Sequence, residues 1–271
     1  MTASIAYLGL LDDEDILLDI AALELSALDH PGVDLAPYLA QLAAIEAEIE
    51  EEARVGEEAA TGPEQAAILA RILAGRHGFS GDSQSYDAPL NTDMIRVLDR
   101  RKGLPVSLAI LYVALARRIG WSADALNTPG HVLVRIGPES APIMVDPFHD
   151  GAAVRREGLL TLLRRALGQA ARYDARHVAP MANRLVLVRL LLNQATRAEA
   201  EGDGGRALTL YRRIVEVAPG NAQGWWDLAR LQLSTGRIDD ARTSLSAMLE
   251  VTRDSGSRAH IAAALEALAG R

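Results

Sequence analysis

A 34-residue period in the last third of the chain constrains the fold more than any other feature. Gly202, Ala207, Tyr211 and Pro219 return, each displaced by 34 positions, as Gly236, Ala241, Leu245 and Arg253. The same displacement carries Leu191, Gln194 and Ala195 onto Trp225, Leu228 and Ala229. A unit of that length holds two helices and a turn: the small residue sits at the turn, the alanine where helices cross closely, and Tyr211 or Leu245 as a knob between them. Each unit buries its apolar face on a neighbour, so two units need a cover at either end. The helix from Ile261 to Leu268 is expected to cap one end and the preceding domain the other.

Composition agrees with a helix-rich chain. In 271 residues and 29.0 kDa there is room for one large domain or two small ones, with only 4% aromatics and a preponderance of alanine and leucine. The sequence contains no cysteine, which excludes disulfides, zinc–thiolate sites and thiol catalysis together. Arg189 interrupts the apolar run from Leu185 to Leu192, and Arg164 and Arg165 interrupt Leu159 to Leu167, so no run reaches membrane-spanning length. The first twenty residues are acidic and unlike a secretory signal, so a soluble cytoplasmic protein is expected. Charge is uneven: residues 1–60 hold fifteen Asp or Glu against a single Arg, while the rest of the chain is net basic. That asymmetry suits either an acidic docking face or, more simply, a solvated helix face along Glu46 to Glu58. No basic patch with interleaved aromatics supports nucleic-acid binding.

Three helices are expected in the first third. Asp15–Leu28 carries Ile16, Ile20, Leu23 and Ala27 at helical steps until Pro31-Gly32 stops it; Ala36–Arg54 turns Leu39, Leu42, Ala43 and Ile49 inward; Gln65–Ala74 follows Thr61-Gly62-Pro63-Glu64 and ends at Gly75. Gly78 to Gly81 reads as a polar loop. From Leu104 to Ile119 the apolar residues are too dense for an exposed helix, so a buried helix is expected to start near Pro105 and stop at Gly120. Its N-terminus offers free N–H groups and the positive end of a dipole, where a nucleophile is best activated. Beyond it, His131–Ile136 and Ile143–Phe148 read as two strands joined by Gly137–Pro142. A turn centred between Pro138 and Glu139 would set His131 opposite Asp146, an imidazole and a carboxylate within hydrogen-bond reach, which is the base-and-orienter half of a triad.

These residues carry a resemblance. Leu98-Asp-Arg-Arg-Lys-Gly-Leu-Pro-Val-Ser107, Pro129-Gly-His131 and Asp146-Pro-Phe148 resemble the transglutaminase-like core of the SirB-type family, whose members combine an acidic helical N-terminal region with tetratricopeptide-like repeats behind the core. The likeness spans nearly the whole chain. It implies a bacterial protein of α+β class, predominantly helical, with a papain-like core in which the active-site helix packs on a small antiparallel sheet. In that superfamily a cysteine opens the helix, a histidine opens a strand and an aspartate follows on the next; His131 and Asp146 match the last two. Counting back from Gly120 places the cysteine near Pro105, which cannot be a nucleophile. Ser107 is the nearest hydroxyl, but a helical step of two residues turns a side chain about 200° away.

Three segments follow: an acidic helical region over 1–80 packing on the core, the core over 81–180, and the repeats with their capping helix over 181–271. The expected function is that of a non-catalytic protein-binding or regulatory protein with a protein or peptide partner, without cofactor or metal. Two rivals stand beside it: a hydrolase or acyltransferase using His131 and Asp146 with Ser107 or an activated water, and a structural adaptor in which the core only caps the repeats. His149 could join His131 and Asp146 around a metal, though a turn histidine there reads as solvated. His30, His77, His177 and His260 stand alone in the sequence. Asn91 and Asp93 read as N-cap residues. Arg100, Arg101 and Lys102 are expected to pair with acids of the N-terminal helices rather than to form an anion-binding lip.

Overall fold

The computed structural model describes residues 5–55 and 61–269. Among these the chain forms two compact units, one of residues 13–186 and one of residues 5–12 with 187–269. Residue 80 falls inside the first unit. The acidic run ends at Glu57 and Glu58, which lie outside the described residues.

The first unit is built around one buried helix. Helices α1 (Leu18–Ala27), α2 (Ala36–Val55) and α3 (Gly62–Ala70) come first, α3 running on into a π-turn over Arg71–Arg76. Strand β1 (Ser80–Gly81), α4 (Met94–Arg100) and β2 (Lys102–Gly103) lead into α5 (Pro105–Arg118). Strands β3 (Ala123–Leu126), β4 (Leu133–Ile136), β5 (Ile143–Asp146) and β6 (Ala152–Ala153) follow, then α6 (Arg156–Leu167). The four form an antiparallel sheet in the order β3-β4-β5-β6, and β1 pairs in parallel with β2.

Every residue of α5 from Pro105 to Ala116 is buried, as its composition requires. Pro105 starts it, because a missing N–H costs nothing in the first turn, and Gly120, at φ +80°, stops it. The helix lies against β3 and β4 and against α1. Below the sheet, α6 turns Leu159 and Leu163, one helical turn apart, onto Leu126 and Leu133.

Several local expectations change. Helix α1 is buried on nearly all sides, including Asp19 at 2% exposure, whereas Ile20 is only partly buried. In α2 the buried stripe is Leu42, Ile45 and Ile49, while Leu39 and Ala43 are exposed. Of the α2 glutamates, Glu50 and Glu51 are exposed as expected, whereas Glu46, Glu48 and Glu52 are half-buried in ion pairs. Glu48 meets Arg76 and His77, Glu52 meets Arg71 and Arg76, and Glu46 shares Arg118 with Asp19. Phe79 of the supposed polar loop is buried under the Arg101 guanidinium, and Ser80–Gly81 is a strand.

The second unit is a stack of helices: the greater part of α7 (Asn183–Ala200), then α8 (Gly204–Val217), α9 (Ala222–Ser234), α10 (Ile238–Val251) and α11 (Ser255–Ala269). The period is visible in the backbone. Gly202 and Gly236 both adopt positive φ, +80° and +74°, at the turn inside each helix pair, and Ala207 and Ala241 are both fully buried. Glu199 ties three helices together, taking the Tyr211 hydroxyl from α8 and a bidentate pair from Arg230 of α9. At the far end α11 closes the stack with Ile261 against Ala229 and Leu245. No helix of the described residues is long and apolar enough to cross a membrane.

Candidate functional site

His131 is placed by a turn rather than by a strand. Its N–H donates to the Thr128 carbonyl across Pro129-Gly130, and Gly130 adopts φ +70°, which a side chain would resist. Asp146 closes β5 and caps the short turn Pro147–His149: its Oδ1 accepts the Phe148 N–H at 3.0 Å. Asp followed by Pro is a helix-start signal, and the single turn it starts carries the residue three positions on, His149, back over the carboxylate.

The two side chains meet. His131 Nε2 lies 2.9 Å from Asp146 Oδ2, with the histidine largely and the aspartate almost wholly buried. The register that brings them together differs from the expected one. Val134 pairs with Val145 and Ile136 with Ile143, which puts Asp146 across from Leu133 and leaves His131 beyond the end of β4. The turn is centred between Glu139 and Ser140, because Pro138 opens it and accepts the Ala141 N–H. A shift of two residues keeps every side chain on its own face of the sheet, so the contact survives as a diagonal one.

Asp146 Oδ2 also receives His149 Nδ1, at 2.7 Å, so one buried oxygen serves two imidazoles. Burial pushes this carboxyl up, but the hydrogen bonds and charges of His131 and His149 outweigh it and hold it below the usual carboxylate range. Phe148 packs edge-on to both imidazoles and to Tyr86, and it lies so close to β1 that a Cβ on Gly81 would fall 2.5 Å from its ring. Behind the site, burial raises the Tyr112 phenol of α5, with Asp150 and Asp146 adding to the effect.

These groups open into a cleft of about 540 Å³, within the range of ligand pockets. Tyr86, His131, Phe148, His149, Leu162 and Arg165 line it, and none of its lining residues is acidic. Nothing in the sequence pattern pointed to Tyr86 or Arg165. His149 had a signal, the Asp-Pro helix start three residues before it.

Ser107 is elsewhere. It is fully buried in the first turn of α5, donates its hydroxyl to the Asn91 carbonyl at 2.7 Å, and does not line the cleft. Asn91 is no N-cap but a buried bracket: its amide donates to the Ser85 carbonyl and its Oδ1 accepts from Arg100. Asp93 does cap α4, accepting from the N–H groups of Ile95 and Arg96, and also meets His30 at 2.5 Å. Arg100 pairs with Asp82 and Lys102 with Ser80, so the acids of the N-terminal helices are not their partners.

Residues 36–192 match the family model described as transglutaminase-like superfamily, and residues 198–268 match that of the tetratricopeptide repeat. A UPF0162 protein of Xylella fastidiosa (strain Temecula1) is 31% identical over 245 residues, covering 88% of this chain and 86% of that protein. F-box only protein 21 of Homo sapiens is 35% identical over 88 residues, 30% of this chain and 14% of that protein. Among solved structures, menin covers 91% of this chain and 69% of its own at 12% identity and a TM-score of 0.41, too distant to bear on the site.

Proposed function

This chain belongs to the transglutaminase-like superfamily and to the UPF0162 proteins, and from that membership we propose a protein that binds a peptide or protein segment without turning it over. One observation carries the reading. The position that the resemblance assigns to the nucleophile lies near Pro105, and the nearest hydroxyl, Ser107, is buried and bonded to the Asn91 carbonyl. With no cysteine in the chain, the acyl-enzyme route has no starting atom.

What remains is a cleft with an imidazole pair, an aromatic wall and a guanidinium, suited to an extended segment carrying an acidic or C-terminal carboxylate. The tetratricopeptide region adds a module of the protein-interaction class. Kinship with the SirB-type proteins, a cytoplasmic location and a bacterial protein partner belong to the same proposal.

The test pairs catalysis with binding. Purified full-length protein should neither hydrolyse amides nor incorporate amines into glutamine peptides, and should select ligands from a displayed random-peptide library whose binding is lost in Arg165→Glu. Reproducible turnover that disappears in both Ser107→Ala and His131→Ala would overturn the reading in favour of a serine-based enzyme.

A further inference from the structure

We propose that His131, Asp146 and His149 form a binding site for one divalent transition-metal ion of the zinc class, with its open coordination positions facing the cleft. The inference stands whether or not the cleft takes a peptide.

Geometry comes first. One ligand atom from each residue lies within 4.8 Å of the other two. Asp146 Oδ2 is 2.9 Å from His131 Nε2 and 2.7 Å from His149 Nδ1, about half an ångström inside the edge of about 3.3 Å that donor atoms keep around a tetrahedral ion bound at about 2.0–2.1 Å. Asp146 Oδ1 is occupied by the Phe148 N–H, so the carboxylate presents Oδ2 alone, as a monodentate ligand held by an outer hydrogen bond. His131 is fixed by its turn and by burial. His149 is held on Asp146 by one hydrogen bond and has its side chain 64% exposed, so a small rotation about its side-chain bonds closes the set.

The nitrogens that face Asp146 Oδ2, His131 Nε2 and His149 Nδ1, are ligand atoms when they carry a lone pair, and each imidazole has a second ring nitrogen to hold its proton. Two imidazole nitrogens and one carboxylate suit Zn²⁺, Co²⁺ or Ni²⁺, whereas Mg²⁺ and Ca²⁺ prefer oxygen sets. Three protein ligands leave at least one tetrahedral position, and it opens on a cleft without acidic lining residues. An anionic donor from a bound segment can take that position.

The experiment uses the full chain without an affinity tag, stripped with chelator and titrated calorimetrically with Zn²⁺, Co²⁺ and Mg²⁺. One Zn²⁺ per chain should bind in the micromolar range or tighter, Co²⁺ should give visible d–d bands, and Mg²⁺ should give no heat. His149→Ala should weaken Zn²⁺ binding about 100-fold or more, and so should Asp146→Asn; because His149 also bonds the buried Asp146, a lower metal-free melting temperature is expected, and a cooperative melt of the metal-free variant shows that it is folded. Absence of binding, or binding that survives His149→Ala undiminished, overturns the proposal. Zinc-dependent amide hydrolysis would support the metal site and overturn the non-catalytic reading instead.

Discussion

Ser107→Ala separates a structural serine from a catalytic one, because the two readings predict opposite patterns. The hydroxyl is fully buried and makes a 2.7 Å hydrogen bond to the Asn91 carbonyl. Alanine removes that bond, whose net value is about 0.5–1.5 kcal/mol. It leaves no orphan behind, since the same carbonyl also accepts the Leu104 N–H at 2.9 Å. The expected loss is therefore about 1 kcal/mol, without the further penalty of an unsatisfied buried acceptor. For a unit the size of Asp13–Val186 this corresponds to a melting temperature lower by about 2–4 °C. Asn91→Ala is the internal standard. It strips a partner from the Ser85 carbonyl and from Arg100, so it should cost more, about 2–3 kcal/mol. Differential scanning calorimetry on the full chain reads both variants and resolves separate transitions if the two units melt apart. An unchanged melting temperature in Ser107→Ala, together with loss of a measurable turnover, would refute the reasoning. It would mean that the hydroxyl leaves Asn91 to do chemistry.

Three further outcomes are expected. Ala241→Leu adds volume at a fully buried helix crossing and should destabilise the repeat unit by about 1–3 kcal/mol in urea titration; an unchanged midpoint would mean the crossing is not there. Arg118→Met leaves the carboxylate of Asp19, 2% exposed, without its guanidinium, and because that guanidinium is itself partly solvated the cost should be about 2–3 kcal/mol, largely absent in an Asp19→Asn background. Asp146 has a folded-state pKa below its unfolded value, so its contribution is present above the unfolded pKa and is lost as pH falls through the folded one; wild-type stability should drop more steeply below about pH 4 than that of Asp146→Asn, and parallel pH profiles would contradict the assignment.

The parts of this fold that were legible in the sequence are those whose signal is local or periodic. A helix buried from Pro105 to Ala116 announces itself by its lack of polar positions, and a repeat of 34 residues by glycine and alanine returning in phase. Pairings across long separations leave no such trace. Asp19 finds Arg118 and Glu48 finds Arg76 only after the helices have packed, so an acidic N-terminal region looked like a solvated face or a docking face. The hairpin register slipped by two because the turn was centred between Pro138 and Glu139, one position before its true centre between Glu139 and Ser140. The site tolerated that error because strand faces have a period of two, and a shift of two preserves which side chains share a face. His149 was read as solvated; its side chain is 64% exposed, yet its Nδ1 is bonded to the buried Asp146. Its bond to Asp146 depends on a single helical turn that only the Asp-Pro pair foretold.

The two halves of the superfamily's catalytic arrangement carry unequal structural cost, and this is a physical reason for one to stand without the other. At the first position of a helix the backbone N–H has no intrahelical acceptor, so proline loses nothing there and its fixed φ favours the helix. Proline at position 105, near where the resemblance puts the thiol, therefore leaves α5 intact. His131 is different. Asp146 is 4% exposed, and each imidazole on Oδ2 offsets part of the cost of burying its charge. Removing His131 would leave that carboxylate to His149, an exposed side chain, and to one backbone N–H. The pair can thus be required by the fold with no substrate in view, so its presence alone says little about catalysis. The discriminating group is one the fold does not need, the Arg165 guanidinium in the cleft wall, whose loss should change ligand binding while leaving stability where it was.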